Sequence, residues 1–236
     1  MNTTVNSEPG AEPGVEYARF DAEAQVPNFD RIAKLYRWME LFTFGPYLAQ
    51  CRAAFLPELG QARRALILGD GDGRFTARLF RTNPYVQIEA VDASSAMLDA
   101  LLRRSRRHTS RICACCADAR DWQPAKPPYD LVVTHFFLDC LRTEECRELA
   151  ARLRDEVSPH AVWIVSEFAI PKSWFGQWVA RPLVWLLYWA FGLLTGLQLR
   201  SLPDYQAALR AASFTLAERR TWLCGLLTSE MWGSKT

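Results

Sequence analysis

Apolar runs and helical patterns alternate along the first two thirds of this chain. Five short runs dominated by aliphatic residues predict buried strands: residues 65–68, 86–91, 111–116, 129–134 and 161–165. Between two of these runs, apolar side chains recur at helical spacing, as at Met97, Leu98 and Leu101. Strands and helices in alternation predict a Rossmann-like, doubly wound α/β fold whose sheet is mainly parallel and carries helices on both faces.

The flanking regions add further elements to this core. Residues 28–60 predict a pair of helices ahead of the first strand, and residues 201–236 predict a short helix followed by two antiparallel strands, which brings the sheet to seven strands. Residues 1–27 are rich in Pro, Gly and acids and are expected to form a flexible tail. Residues 28–236 are expected to form a single domain, with residues 172–200 as an aromatic lid.

The composition limits the classes of function. The formal net charge of the 236 residues is +2, and the basic run at residues 103–107 has no interleaved aromatic residue, so no nucleic-acid partner is expected. The seven cysteines accompany a polar N-terminal stretch without an apolar leader, which predicts reduced thiols and a cytoplasmic location. Because Cys115 and Cys116 are adjacent on a strand, they point to opposite faces, and no metal site is expected there or at Cys113.

The most informative stretch is GDGDG at residues 69–73, directly after the first strand. Glycines at such a position permit a tight turn and let the backbone approach a ligand closely. The dinucleotide fingerprint G-x-G-x-x-G would need glycine at position 74, which is Arg74, so a nicotinamide cofactor is disfavoured. The alternative interpretation is a glycine-rich turn without a ligand.

Acidic residues end the next two strands. Asp92 follows the second strand, where a carboxylate can accept both ribose hydroxyls of an adenosine-containing cofactor. Asp118 follows the third strand and is placed to meet the adenine amine. Either residue alone could be an ordinary strand-end turn residue, but together with the glycines they favour a cofactor crevice.

Residues 64–168 resemble class I S-adenosylmethionine-dependent methyltransferases in these motifs. The resemblance implies S-adenosyl-L-methionine as the cofactor. The cofactor-binding residues that it implies are Gly69, Asp70, Gly71, Gly73, Asp92, Ala93, Met97, Asp118, Ala119 and Thr134.

A narrower resemblance, over residues 28–233, is to the ubiquinone/menaquinone C-methyltransferases. It is carried by NFDRIAKLYRWMELFTFG, by VSEFAIP, and by the ending SLPDYQAALRAASFTLAERRTWLCGLLTSEMWG. Two positions depart from that pattern. Ile67 replaces an expected acid, for which Asp70 or Asp72 could compensate, and HFFLDCL places Asp139 and Cys140 where the quinone enzymes carry an arginine-asparagine pair. The second departure argues against quinone C-methylation.

Methyl transfer from a sulfonium requires alignment of the acceptor and exclusion of water, and a general base only when the acceptor must first lose a proton. His135 follows the fourth strand and is the candidate base or substrate-orienting residue, with a pocket wall as the alternative role. Asp139 is the second candidate, with capping of the next helix as its alternative. The candidate substrate-binding residues are Tyr36, Phe136, Trp174 and Trp178.

Residues 174–199 are dense in Trp, Leu, Tyr and Phe. Their longest uncharged apolar run, residues 183–197, is shorter than the roughly 20 residues that span a bilayer. A helical lid or substrate wall is the first interpretation, and an amphipathic element in peripheral contact with a membrane is the second.

The expected function is methyl transfer to a small, largely apolar or aromatic acceptor. The alternatives are a non-catalytic cofactor-binding module of the same fold and a membrane-associated quinone or lipid methyltransferase. The sequence indicates neither the acceptor atom nor the oligomeric state.

Overall fold

The computed structural model describes residues 45–125, 127–171 and 202–234, together with residues 174, 176, 178, 181, 182 and 184. The expected tail, the first N-terminal helix with Tyr36, and most of the aromatic segment lie outside these residues.

The sheet consists of β1 (Arg64–Leu68), β2 (Gln87–Asp92), β3 (Ile112–Cys116), β4 (Tyr129–His135), β5 (Val157–Phe168), β6 (Phe214–Trp222) and β7 (Leu227–Ser234). The strand order is β3-β2-β1-β4-β5-β7-β6. Strands β1 to β5 pair in parallel, and β7 runs antiparallel to both of its neighbours. The predicted seven-stranded sheet with an antiparallel terminal pair is therefore confirmed. The order reverses between β1 and β4, and at such a point the carboxyl ends of parallel strands leave a crevice.

The helices are α1 (Gly45–Arg52), α2 (Arg74–Thr82), α3 (Ser95–Arg104), α4 (Thr143–Glu156) and α5 (Tyr205–Ala211). Their starts follow ordinary capping chemistry. The hydroxyl of Ser94 accepts a hydrogen bond from Met97 N at 3.3 Å, and the carboxylate of Asp204 accepts one from Ala207 N at 2.9 Å. Both caps satisfy backbone N–H groups that the first helical turn leaves without partners.

The alternation of side chains along β1 divides the core into two layers. Ala65 and Ile67 pack with α2 and α3 on one face. Leu66 and Leu68 pack with α4 and α5 on the other face. Since β1 is buried on both faces, its sequence is a continuous apolar run rather than an alternating one.

Several boundaries differ from the sequence prediction. Strand β5 begins at Val157, directly after α4, because this stretch pairs with Tyr129 as an irregular extension of the ladder. The first residue of α4 is Thr143, whose hydroxyl accepts a hydrogen bond from Asp204 N at 3.1 Å.

Two absences apply to the described part of the chain only. None of its helices combines the length and the apolar character that crossing a bilayer requires. Its His, Cys, Asp and Glu side chains form no group of three or more that could bind a metal ion. Cys115 packs against the α4 layer and Cys116 against the α2 layer, as their adjacency on β3 predicts.

Candidate functional site

The glycine turn (residues 69–73) connects β1 to α2. All three of its glycines have positive φ, from +59° to +76°, a region that side chains with a Cβ rarely adopt. A Cβ at Gly69 would lie 2.6 Å from the Phe137 ring, and one at Gly73 would lie 2.7 Å from the Leu101 backbone. Among the described residues, a Cβ at Gly71 would meet only the Met97 sulfur, at 3.9 Å. Gly69 and Gly73 are thus packing positions, whereas the described part of the chain leaves the outer face of Gly71 open.

The two aspartates of the glycine turn are both engaged by protein groups. The carboxylate of Asp70 accepts hydrogen bonds from Thr76 N at 2.9 Å and Phe75 N at 3.3 Å, so that it caps α2. Burial raises the pKa of Asp70, and these donors partly offset that effect.

Asp72 forms ion pairs with Arg104 at 2.7 Å and Arg74 at 3.2 Å. Ile67, which replaces the expected acid, is 1% exposed and belongs to the core. Neither Asp70 nor Asp72 therefore presents an uncommitted carboxylate in place of that acid.

Asp92, Ala93 and Met97 lie beside the glycine turn at the end of β2. One carboxylate oxygen of Asp92 accepts a hydrogen bond from Ser94 N at 2.9 Å, which fixes the side chain at the strand end. Gly69 N donates to Val91 O at 2.9 Å, so that the turn and the end of β2 are held next to each other. The structure thus places the end of β2 next to the glycine turn.

Asp118 follows β3 and is bound by Arg120. The guanidinium Nε of Arg120 lies 3.0 and 2.9 Å from the two carboxylate oxygens, and Nη2 donates to one of them as well. Partial burial raises the pKa of Asp118, but the hydrogen bonds from Arg120 outweigh burial, and the pKa is lower than its ordinary value. Asp118 is therefore ionised and already paired, a feature that the expected contact with adenine did not include. The neighbouring Ala119 is buried.

Thr134 and His135 end β4 and point to opposite faces of the sheet. The hydroxyl of Thr134 accepts a hydrogen bond from Trp163 Nε1 at 3.0 Å within the α4 layer. On the α2 face, His135 Nδ1 lies 2.9 Å from the Ser166 hydroxyl, and its ring meets the Phe75 ring edge-on with centroids 4.6 Å apart.

The imidazole of His135 is 3% exposed, and Nε2 is buried without a hydrogen-bond partner among the described residues. Burial, followed by the charge of Arg52, holds the pKa of His135 well below its ordinary value. The ring is thus neutral near pH 7 and a weak base.

The β4 turn (residues 135–139) connects β4 to the short helix that precedes α4. Asp139 is 7% exposed, and Glu167, at the end of β5, is 1% exposed. Glu167 Oε1 accepts hydrogen bonds from Leu138 N at 2.8 Å and Phe137 N at 3.1 Å. Burial, with a contribution from the Asp139 charge, raises the pKa of Glu167 well above its ordinary value. Sequence reasoning missed Glu167, although the strand-end motif VSEFAIP contains it.

Phe136 belongs to an apolar cluster between α1 and β7, which we call the apolar wall. Its buried members are Leu48, Cys51, Phe136, Val184, Leu226 and Leu227. The Arg52 guanidinium lies 5.2 Å from the centre of the Phe136 ring. Trp174 and Trp178 are 73% and 78% exposed and do not line this wall, so the structure does not bring them together with Phe136.

An adenosyl cofactor can be tested against this geometry. The openness of Gly71 contrasts with the close packing of Gly69 and Gly73, as expected of a turn whose middle faces a ligand. Register places the ends of β2 and β4 on either side of β1, since Leu68 pairs with both Val91 and Thr134. A cofactor at the end of β1 would therefore have Gly71, Asp92 and Met97 on one side and the β4 turn on the other.

Comparison with known proteins decides which cofactor this is. Residues 65–160 match the family model described as a methyltransferase domain. We call this segment the methyltransferase domain. It contains the glycine turn, Asp92, Asp118 and the β4 turn, and its cofactor is S-adenosyl-L-methionine.

Related sequences agree with this assignment over part of their length. The trans-aconitate 2-methyltransferase of Mycobacterium tuberculosis is 38% identical over 117 residues, which cover 48% of this chain and 41% of that protein. The trans-aconitate 2-methyltransferase of Rhodococcus jostii is 31% identical over 142 residues, which cover 60% of this chain and 48% of that protein. The chain thus matches less than half of each relative. These relatives do not support the narrower resemblance to quinone C-methyltransferases.

Solved structures show the same fold. An O-methyltransferase family protein from Burkholderia thailandensis superposes with a TM-score of 0.65 at 19% identity, covering 90% of this chain and 64% of that one. The N-methyltransferase NodS from Bradyrhizobium japonicum, in complex with S-adenosyl-L-homocysteine, has a TM-score of 0.59 at 14% identity, covering 82% and 89%. At such identities the likeness concerns the fold alone.

Proposed function

We propose that this protein transfers the methyl group of S-adenosyl-L-methionine to a small acceptor with an apolar or aromatic body. The observation that carries the proposal is the position of the β4 turn. It contacts Gly69 of the glycine turn through Phe137 and contributes Phe136 to the apolar wall. The cofactor would then bind on one side of this short segment of backbone, and the acceptor on the other.

When bound, the cofactor supplies a methyl group made electrophilic by its sulfonium centre. The chain holds and orients the two reactants. Asp92 would accept hydrogen bonds from ribose hydroxyls, and the open backbone of Gly71 would lie along the cofactor. The apolar wall would exclude water from the acceptor, a condition under which alignment contributes most of the acceleration.

We propose that His135 orients the acceptor rather than acting as a strong base. Its lowered pKa leaves the imidazole neutral, and the Ser166 hydroxyl fixes the orientation of the ring through Nδ1. Nε2, which is buried without a hydrogen-bond partner among the described residues, would be the group that bonds to the acceptor. Asp139, the second candidate, is 7% exposed and accepts a hydrogen bond from the Cys140 thiol at 3.5 Å, so we assign it a structural role in the β4 turn.

A carboxylate-bearing acceptor is a second candidate, and the position of Arg52 favours it. The relatives are named for trans-aconitate, a tricarboxylic acid. Arg52 lies over the Phe136 ring, and its charge reaches His135. An acceptor with both a carboxylate and an apolar body would use the guanidinium and the apolar wall together.

Titration calorimetry with S-adenosyl-L-homocysteine, followed by a methyl-transfer assay, tests the proposal. The acceptor panel should contain trans-aconitate, hydrophobic monocarboxylates, uncharged phenols and thiols. Turnover of phenols or thiols supports the apolar acceptor, and turnover confined to acids supports the second candidate. Cofactor binding without turnover of any acceptor indicates the non-catalytic module. Absence of binding at millimolar ligand contradicts the proposal.

Contact with a membrane surface is a further part of the proposal. Trp174, Trp178 and Arg181 are each exposed and each in helical conformation. Aromatic and basic side chains in this arrangement suit the interface of an anionic bilayer. A cytoplasmic enzyme with this surface could take an acceptor directly from lipid.

Liposome flotation measures this contact. The full chain is expected to float with anionic vesicles, and a Trp174→Ala/Trp178→Ala variant is expected to lose most of that association. Tyr85→Ala is the matched control, because Tyr85 is 59% exposed and lies ahead of β2, at the opposite end of the sheet. Equal flotation of all three proteins, or none with any vesicle, would argue against membrane contact.

A further inference from the structure

We propose that Glu167 is a positioning residue for cofactor binding: its side chain fixes the β4 turn against the glycine turn and thereby sets the shape of the cofactor crevice. The inference rests on the proposed function only in taking this crevice as the site of the cofactor. Glu167 itself belongs to β5 and would touch neither reactant.

Hydrogen bonds to the end of β5 hold the β4 turn in place. Glu167 Oε1 accepts from two successive backbone N–H groups, those of Phe137 and Leu138, at 3.1 and 2.8 Å. Phe136 N donates to Ser166 O at 2.7 Å. Three successive amides of the turn are therefore held by the end of β5, and two of them depend on a single side-chain oxygen.

The backbone of the β4 turn is strained. Phe136 has φ of +53°, a conformation that a residue with a Cβ adopts only at a cost. Such a conformation persists where the surroundings over-determine it. The hydrogen bonds to Glu167 begin at the next residue, so loss of the acceptor would let the turn relax toward an unstrained backbone.

The β4 turn packs directly on the glycine turn. A Cβ at Gly69 would lie only 2.6 Å from Cδ2 of Phe137, so the Phe137 ring packs directly on the glycine backbone. Gly69 is held on its other side by Val91 O. A shift of Phe137 therefore either leaves a void beside Gly69 or moves the start of the glycine turn.

The carboxyl group of Glu167 is buried and can accept the amide hydrogen bonds without a charge. Glu167 is 1% exposed, and Oε2 is buried without a hydrogen-bond partner among the described residues. A neutral carboxyl still accepts both amide hydrogen bonds through its carbonyl oxygen. Glutamine keeps that acceptor at the same distance from the backbone, aspartate withdraws it by one methylene, and leucine removes it.

The experiment compares S-adenosyl-L-homocysteine affinity in full-length Glu167→Gln, Glu167→Asp and Glu167→Leu. We expect the glutamine variant to bind within threefold of the parent and the leucine variant to bind at least tenfold more weakly. The aspartate variant should fall between them, and it decides the matter if the leucine variant does not fold.

Glu230→Leu is the matched control. Glu230 is also fully buried, on β7, where it is held by Arg219, Gln206 and Trp232 rather than by a turn of the crevice. It should lose thermal stability but bind within threefold of the parent at a temperature where it is folded.

Two results would overturn the inference: parental affinity in the aspartate and leucine variants, or an equal loss of affinity in folded Glu230→Leu. A parent protein that binds no ligand would instead contradict the proposed function.

Discussion

The glycine turn and the β4 turn meet at one edge of the sheet, but different interactions hold them. In the glycine turn, Asp72 lies near the surface, where it is 19% exposed and paired with Arg104 at 2.7 Å, while Asp70 caps α2. The β4 turn is held from the interior by Glu167, which is 1% exposed and binds backbone N–H groups. One turn is thus shaped by backbone conformation and surface ion pairs, and the other by a buried carboxyl group.

Because of this difference, different kinds of substitution should disrupt the two turns. A surface ion pair contributes little to stability, because water and salt screen it. The glycine turn should therefore be sensitive to its backbone positions rather than to its charges. A buried polar group that loses its partner carries the full cost of desolvation. The β4 turn should therefore be sensitive to the chemistry of one side chain.

The largest expected effect is that of Gly73→Ala, compared with Gly71→Ala. The new Cβ at Gly73 would clash with the backbone of Leu101 at 2.7 Å and would also occupy a positive φ. Overpacking and backbone strain together predict a loss of roughly 2–4 kcal/mol in the free energy of unfolding. Gly71→Ala carries the φ strain without the clash, so about 1 kcal/mol is expected. Denaturant unfolding measures both values.

Cofactor affinity completes that comparison. Gly71→Ala should weaken S-adenosyl-L-homocysteine binding by about tenfold or more, since the added methyl group projects from the open face of the turn. If Gly73→Ala is as stable as Gly71→Ala, or if Gly71→Ala binds like the parent, the division between packing glycine and ligand-facing glycine is wrong.

The next effect is that of Asp92→Ala, compared with Asp118→Ala. Asp92 is proposed to accept the ribose hydroxyls, and loss of a hydrogen-bonded charged partner costs about 1.5–3 kcal/mol, or roughly 10- to 100-fold in affinity. The Asp118 carboxylate is already bound by Arg120. Its removal should therefore change the affinity for S-adenosyl-L-homocysteine by less than about fivefold, and its main effect should be to leave Arg120 without this partner. Calorimetry on the two variants checks the order, and a larger loss for Asp118→Ala would reverse the assignment.

Sequence reasoning identified the sheet because its strands are local signals. The run at residues 65–68 is apolar without interruption, as burial on both faces requires, and the glycines after it mark the exit from the strand. It located Asp92 at the end of β2 for the same reason, since a strand-end acid is visible from its neighbours along the chain. The ends of β5 were less predictable, because the extension from Val157 depends on a pairing with β4 that no local pattern encodes.

The interior of the site was not predictable in the same way. The partners of Glu167 come from the chain 29 and 30 residues earlier, and those of His135 from 31 residues later. Arg120 is only two positions from Asp118, but the spacing alone did not indicate that its guanidinium would bind the Asp118 carboxylate. Such partnerships depend on which side chains reach each other after folding, which periodicity does not report.

The last contrast is a pH dependence that separates the buried carboxyl of Glu167 from an acid paired near the surface. Because the folded-state pKa of Glu167 is raised above its unfolded value, its contribution to stability is complete below the unfolded pKa and declines as the pH rises toward the folded pKa. Glu167→Gln does not titrate. Its melting temperature relative to the parent should therefore rise with pH between the unfolded and the folded pKa of Glu167, by at most roughly 3 °C per pH unit, the amount that one unmatched proton produces in a protein of this size.

Asp118→Asn provides the contrast, since the hydrogen bonds from Arg120 hold the pKa of Asp118 below its ordinary value. Its difference in melting temperature from the parent should stay constant from about pH 5 to 8, because the contribution of a carboxyl with a lowered pKa is complete above the unfolded pKa. Calorimetric scans at pH 5, 6, 7 and 8 give both curves. A flat difference for Glu167→Gln would mean that the carboxyl is ionised in the folded protein, and the β4 turn would then be held by a charge, as the surface acids of the glycine turn are.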